Sequence, residues 1–142
     1  ATQCATHRLL AEAEYREFGA PYDRIVLDAV RPQAEMILLH GHGYDLMLEL
    51  LLGYEPDALS WHDRAAGPSL ASMQKSFAGL VVGGIDEWHT LLHGPTGAIQ
   101  EEVAEAVRQT GARRHLVGPG CVLSTATPAG HVHAAREAVD RL

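Results

Sequence analysis

The residues whose types and spacing best suit chemistry are His40 and His42, which end a short apolar run and alternate with Gly41 and Gly43. The run over residues 36–39 has no helical period, which is typical of a strand buried on both faces. Because they are two residues apart, the imidazoles point to the same side if the strand continues. They can form a metal or proton-transfer site, or they can be hydrogen-bonded loop histidines.

Polar side chains also end the other predicted strands. They are Gln3 and Cys4, His62 and Asp63, Asp86, and Cys121. His62 and Asp63 are adjacent and face opposite ways on a strand, so at most one reaches the site, and we expect it to be Asp63. Asp86 either orients a ligand histidine or a substrate, or caps a backbone amide. We predict catalytic roles for Asp63 and Asp86.

Strands and helices alternate along the chain, as a parallel sheet requires. Apolar spacings of three and four predict a short helix, a bend near Pro21 and a longer helix between Glu12 and Val30. Further helices are predicted over residues 44–53, 67–77, 96–110 and 127–142, and further strands over residues 58–63, 79–86 and 115–121. This order predicts an α/β fold with four complete parallel strands, a leading stub at residues 1–5 and right-handed crossovers. We expect one domain over residues 1–142.

Composition excludes several classes of protein. The chain has 142 residues, of which 46% are hydrophobic, and a net charge of −7, so no basic face for nucleic acid is expected. No apolar run approaches the ~20 residues of a membrane span, and no signal peptide is evident. Two cysteines without secretory features indicate a reducing, cytoplasmic environment rather than a disulfide scaffold.

Five motifs in a fixed order resemble the uroporphyrinogen decarboxylase superfamily, which also contains zinc- and corrinoid-linked methyltransferases. The motifs are Tyr15-Arg16-Glu17-Phe18 through Pro21-Tyr22, His40-Gly41-His42-Gly43, Trp61-His62-Asp63-Arg64, Gly83-Gly84-Ile85-Asp86, and Gly118-Pro119-Gly120-Cys121 with Thr127-Pro128. The resemblance covers essentially the whole chain. It implies the carboxyl-terminal half of a TIM-type (β/α)8 barrel, without the amino-terminal half that carries the arginine and aspartate acting on the porphyrinogen.

The resemblance to the methyltransferase branch implies a zinc site. In that branch a histidine, a cysteine two residues later and a second cysteine after the last strand hold the metal. His40 and Cys121 match the first and third positions, whereas His42 stands where a cysteine is expected. Zinc accepts imidazole or thiolate, but the change lowers the charge donated to the metal. Three protein ligands and an open position are a catalytic pattern.

Three functions therefore stay open. The first is zinc-dependent methyl transfer with a corrinoid as methyl-donor partner and a small-molecule substrate. The second is porphyrinogen decarboxylation, although Pro119 occupies the place of the histidine in that branch's glycine-histidine-glycine turn and cannot donate a hydrogen bond. The third is an inactive half-barrel that acts as an assembly unit. A half-barrel has two unpaired sheet edges, so we expect a homodimer or a separately supplied amino-terminal half-barrel as its partner.

Overall fold

A computed structural model describes the backbone of residues 2–3 and the whole of residues 5–142. The strands are β1 (Thr2–Gln3), β2 (Leu38–Gly41), β3 (Ala58–Trp61), β4 (Leu80–Ile85) and β5 (His115–Pro119). The helices are α1 (Glu12–Phe18), α2 (Ala20–Val30), α3 (Leu48–Leu52), α4 (Leu70–Ser76), α5 (Thr90–His93), α6 (Thr96–Thr110) and α7 (Ala129–Asp140), with a 3₁₀ turn over Arg31–Gln33. Cys4 of the predicted strand-end set lies outside the described residues.

The five strands form one parallel sheet in the order β1-β2-β3-β4-β5. Neighbours in the sheet are therefore neighbours in sequence, and crossovers of one hand place successive helices on the same face. This confirms the predicted α/β fold of four complete parallel strands and a leading stub. It is the arrangement of consecutive units in a (β/α) barrel.

The two faces of the sheet have different surroundings. Leu39, Leu59, Trp61 and Val81 are fully buried in the main hydrophobic core, which also contains residues of α1 to α4 and α6. Alternate residues such as Leu38, His40, Ser60 and Val82 point the other way and line an open cavity. Polar groups at these alternate positions thus face the side of the sheet that a complete barrel encloses.

Local signals set several helix ends. Gly111 has φ 60° and ends α6 after Thr110, as predicted, because glycine adopts the left-handed conformation without steric cost. Ser69 accepts a hydrogen bond from the Ser72 amide and begins α4. Thr127, the first residue of the helix predicted over residues 127–142, makes no such bond, and α7 begins at Ala129 after Pro128.

The helix predicted over residues 44–53 is shorter than expected. It begins at Leu48, because residues 45–47 pair with the segment before α1. The Asp45 carbonyl accepts from the His7 amide at 3.0 Å, and the Met47 amide donates to the Ala5 carbonyl at 2.9 Å. Asp45 also has φ 52°, which a helix does not allow. No helix among the described residues is long and apolar enough to cross a membrane.

Candidate metal centre

His40 is held at the carboxyl end of β2 by its neighbour in the sheet. The register of β2 and β3 sets His40 opposite Ser60, and the His40 Nδ1 lies 2.8 Å from the Ser60 Oγ. Within the described part of the chain, the other ring nitrogen, Nε2, is buried and has no hydrogen-bond partner. A buried polar nitrogen without a partner is costly, and Nε2 offers its lone pair to a ligand when the ring proton is on Nδ1 and is donated to the Ser60 hydroxyl oxygen.

His42, His62 and Cys121 complete a cluster with His40. The His42 Nδ1 lies 3.4 Å from both the His62 Nε2 and the Cys121 Sγ. One donor atom from each of the four residues falls within 4.8 Å of every other. The structure therefore brings together the three residues predicted to bind metal. It adds His62 to them, whereas the sequence had favoured its neighbour Asp63 for the site.

Glu87 contacts the cluster through His62. Its Oε1 lies 3.0 Å from the His62 Nδ1, and its side chain is only 5% exposed. No sequence motif indicated Glu87, which lies in the loop after β4 and meets His62 only through the tertiary fold. His62 could be identified only once the register of β2 and β3 was known, because that register places Ser60 beside His40, and His62 lies two residues beyond Ser60 on the same face.

The electrostatic environment favours the neutral, ligand form of His40. Burial, together with the nearby His62 and His42 rings, lowers the pKa of His40 to about 4. At neutral pH this imidazole carries no proton that a metal ion would have to displace, and neutral imidazole is the form that binds metals.

Asp63 and Asp86, the two predicted catalytic carboxylates, are not among the four converging groups. Asp63 is buried, and its Oδ1 accepts from the Gly84 amide at 3.1 Å, while Arg64 donates to the Gly84 carbonyl at 2.8 Å. Both residues thus fasten the end of β3 to β4. Burial raises the pKa of Asp63 to about 6.

The Asp86 carboxylate closes the turn before α5. It accepts from the amides of Trp88 at 2.9 Å and His89 at 2.7 Å, and it also lies 3.0 Å from the His89 ring. Burial opposes ionisation of Asp86, but the bonds from His89 and Trp88 outweigh it and hold its pKa below the usual value. This geometry corresponds to the backbone-capping interpretation of Asp86.

The spacing of the donor atoms fits a metal ion. With zinc–nitrogen bonds of about 2.0–2.1 Å and zinc–sulfur bonds of about 2.3 Å, tetrahedral donors lie about 3.4 Å apart for two nitrogens and about 3.6 Å apart for nitrogen and sulfur. The two 3.4 Å contacts of the His42 Nδ1 agree with these edges. Three imidazoles and one thiol are also ligands that zinc accepts. The His/His/His/Cys group could therefore hold a metal.

A cavity of about 510 Å³ lies beside the cluster. Its polar lining comes from His40, His42, Ser60 and Cys121, and its other walls are apolar: Leu38, Val82, Pro119 and Val122. None of the described residues that line it is an arginine or lysine. Apolar walls with a few polar groups are common in small-molecule sites.

Comparisons with known proteins agree with this architecture. Residues 2–142 match the model of the uroporphyrinogen decarboxylase family. Two curated proteins named uroporphyrinogen decarboxylase, from Prochlorococcus marinus strains MIT 9303 and MIT 9313, are each 34% identical over 125 residues, which is 84% of this chain. The chain spans about a third of their length, since the match covers 34% of each.

A solved structure extends the comparison to three dimensions. A methyltransferase from Methanosarcina mazei superposes with a TM-score of 0.78 at 23% identity, over 99% of this chain and 40% of that one. The fold is thus that of part of a larger barrel-type protein, as the sequential parallel sheet also indicates. Because residues 2–142 match the model of the uroporphyrinogen decarboxylase family, the chain belongs to that family.

Proposed function

We propose that this chain provides the metal centre for transfer of a methyl group from a corrinoid to a small thiol, with zinc as the metal. The observation that carries the proposal is the convergence of His40, His42, His62 and Cys121, with one donor atom each within 4.8 Å of the others. The similarity in fold to a methyltransferase supports it.

The residues of the chain have separate tasks in this proposal. Bound zinc would supply a Lewis acid that keeps the substrate thiol in its nucleophilic, deprotonated form. This role requires that three of the four candidate donors hold the metal and that the fourth position stays open to the thiol. Ser60 contacts the His40 ring at Nδ1, which leaves Nε2 as the atom that would bind the metal. Leu38, Val82 and Val122 give the cavity apolar walls, which would keep an anionic nucleophile reactive by excluding water once the open side of the cavity is covered.

Decarboxylation of a porphyrinogen is the second candidate. It is favoured by the 34% identity to the two curated decarboxylases. One feature of this chain opposes it: Pro119 has no N–H group to donate a hydrogen bond at the turn Gly118-Pro119-Gly120.

Zinc content and variants of the cluster test the proposal first. We expect stoichiometric zinc by mass spectrometry after loading and dialysis of the chain. Cys121→Ser and His40→Gln should lose this zinc, because each removes one donor of a tetrahedral set. His93→Gln is the matched control, since His93 is an exposed histidine outside the cluster, and it should retain the metal.

An activity assay then separates the two chemistries. The zinc-loaded chain is incubated with methylcobalamin and a small thiol, alone and with the amino-terminal half of a full-length relative. We expect loss of free thiol that needs zinc and disappears in Cys121→Ser. Conversion of uroporphyrinogen in a parallel incubation, unaffected by Cys121→Ser, would instead establish the decarboxylase. Zinc that raises the unfolding temperature without either reaction would indicate a structural site in an assembly unit, because a closed set of four protein ligands is typical of structural zinc.

A further inference from the structure

A buried carboxylate stands directly behind one donor of the candidate centre. Glu87 is 4% exposed, and its Oε1 lies 3.0 Å from the Nδ1 of His62, a ring that is itself buried. Glu87 is not one of the four groups that could hold the ion. A buried carboxylate needs a strong partner to offset its desolvation, and among the described contacts the His62 ring is the partner that the structure provides.

We propose that Glu87 is the positioning residue of the metal centre, which fixes both the tautomer and the orientation of His62. The proposal rests on the metal site of the proposed function. A carboxylate accepts hydrogen bonds but does not donate them, so the His62 proton facing Glu87 sits on Nδ1. The Nε2 atom is then left with its lone pair, and this is the atom that lies 3.4 Å from the His42 Nδ1 inside the cluster.

Glu87 also joins two of the segments that carry ligands. The other carboxylate oxygen, Oε2, lies so close to Gly120 that a Cβ atom there would be 3.0 Å from it and 3.1 Å from the His62 Cα. Gly120 directly precedes Cys121. The carboxylate is therefore packed between the end of β3 and the loop after β5, where a shift of its position would disturb both His62 and the thiol.

Zinc affinity of the metal-free chain, measured by competition with a chelator, tests the role of Glu87. We expect Glu87→Ala to weaken zinc binding by about 10- to 100-fold, the usual effect of losing such a carboxylate–histidine contact. Glu87→Gln should weaken it less, because the amide oxygen can still accept from Nδ1. Cobalt as the probe adds a spectroscopic readout: its visible absorption bands should shift most in Glu87→Ala, where the His62 ring loses its partner, and less in Glu87→Gln, where the weaker contact remains.

Asp23→Asn is the matched control. The Asp23 carboxylate accepts hydrogen bonds from Tyr15 and from Tyr54, the latter at 2.9 Å, and neither tyrosine belongs to the cluster. This variant should lower stability but leave zinc affinity and the cobalt spectrum unchanged. A purely structural role for Glu87 would give the same pattern as Asp23.

The outcomes are distinct. Zinc affinities of folded Glu87→Gln and Glu87→Ala equal to that of the unmodified chain, with an unchanged cobalt spectrum, would overturn the positioning role while leaving the metal site intact. If Glu87→Ala does not fold, the zinc affinity and cobalt spectrum of Glu87→Gln alone test the positioning role. An unmodified chain that takes up no zinc would instead contradict the proposed function itself.

Discussion

At the scale of single residues, neighbouring side chains at the end of β3 have opposite tasks. His62 turns to the cavity face and meets His42, whereas Asp63 turns to the backbone of Gly84. This is the alternation that an extended chain imposes. The sequence predicted that only one of the pair would reach the site and favoured Asp63, whereas His62 is the one that joins the cluster.

Asp63 gives a prediction about pH. Burial raises its pKa to about 6, above the value of about 4 in an unfolded chain. The folded state therefore binds this proton more tightly, and the stability that the proton contributes is fully present below about pH 4 and is lost as the pH rises through about 6. Asp63→Asn keeps an acceptor for the Gly84 amide without the charge. We expect the metal-free variant to be more stable at pH 7 by up to roughly 3 kcal/mol.

Urea unfolding between pH 4 and pH 7 checks this expectation. His40 contributes with the opposite sign, because its pKa is lowered to about 4 and its stability contribution is lost as the pH falls below about 6.5. The two effects offset one another in the unmodified chain. In Asp63→Asn the His40 effect remains, so stability should rise more steeply with pH. An unchanged pH profile would refute the burial argument for Asp63.

At the scale of elements, the ends of α6 show how local chemistry sets a helix. Gly97 lies in its first turn and Gly111 just beyond its last residue, and a Cβ atom would meet nothing within 4 Å at either position. Only the backbone conformation distinguishes them, since Gly111 has φ 60° and Gly97 lies inside the helix. Substitutions at these two glycines therefore separate the energetic cost of backbone conformation from that of side-chain packing.

Alanine at these two glycines should change stability in opposite directions. Gly97→Ala should stabilise the chain by about 0.5–1 kcal/mol, because alanine loses less backbone entropy in a helix. Gly111→Ala should destabilise it by about 1 kcal/mol, because the left-handed conformation strains a residue with a Cβ atom. Thermal unfolding of the two variants measures both changes, and equal shifts of the same sign would contradict this account of the helix end.

At the scale of the whole molecule, the sheet is open. In the part of the chain that the structure describes, β1 and β5 each pair with a strand on one side only. Leu116 on β5 is 53% exposed and Val122 after it is 73% exposed. An apolar groove of about 260 Å³ lies beside Leu116, between β5 and α7. Unpaired edges and exposed apolar area of this kind favour association.

We therefore propose that the folded chain is not a free monomer, and that a second copy or an amino-terminal half-barrel covers the cavity face. Sedimentation velocity at micromolar concentration should show a dimer of the chain alone, or a complex when the other half is supplied. Leu116→Glu should weaken either association, because it places a charge on the edge strand. A monodisperse monomer in both experiments would refute the proposal.

The sequence by itself determined features that depend on local pattern. The order of strands and helices, the bend before Pro21 and the end of α6 at Gly111 all follow from residue spacing and backbone preference, which act within a few residues. His40, His42 and Cys121 were also identified from the chain alone, by strand-end position and by the resemblance. These three do converge in the fold.

Only the tertiary structure decided the features that depend on distant segments. The choice of His62 over Asp63 requires the register of β2 and β3, which no short stretch of sequence contains. The contact of Glu87 with His62 joins residues 25 positions apart, and the late start of α3 results from pairing of residues 45–47 with residues 5–7. These contacts join segments that only the pairing of the whole sheet brings together. Local backbone preference therefore leaves the roles of these side chains open, and the tertiary contacts determine them.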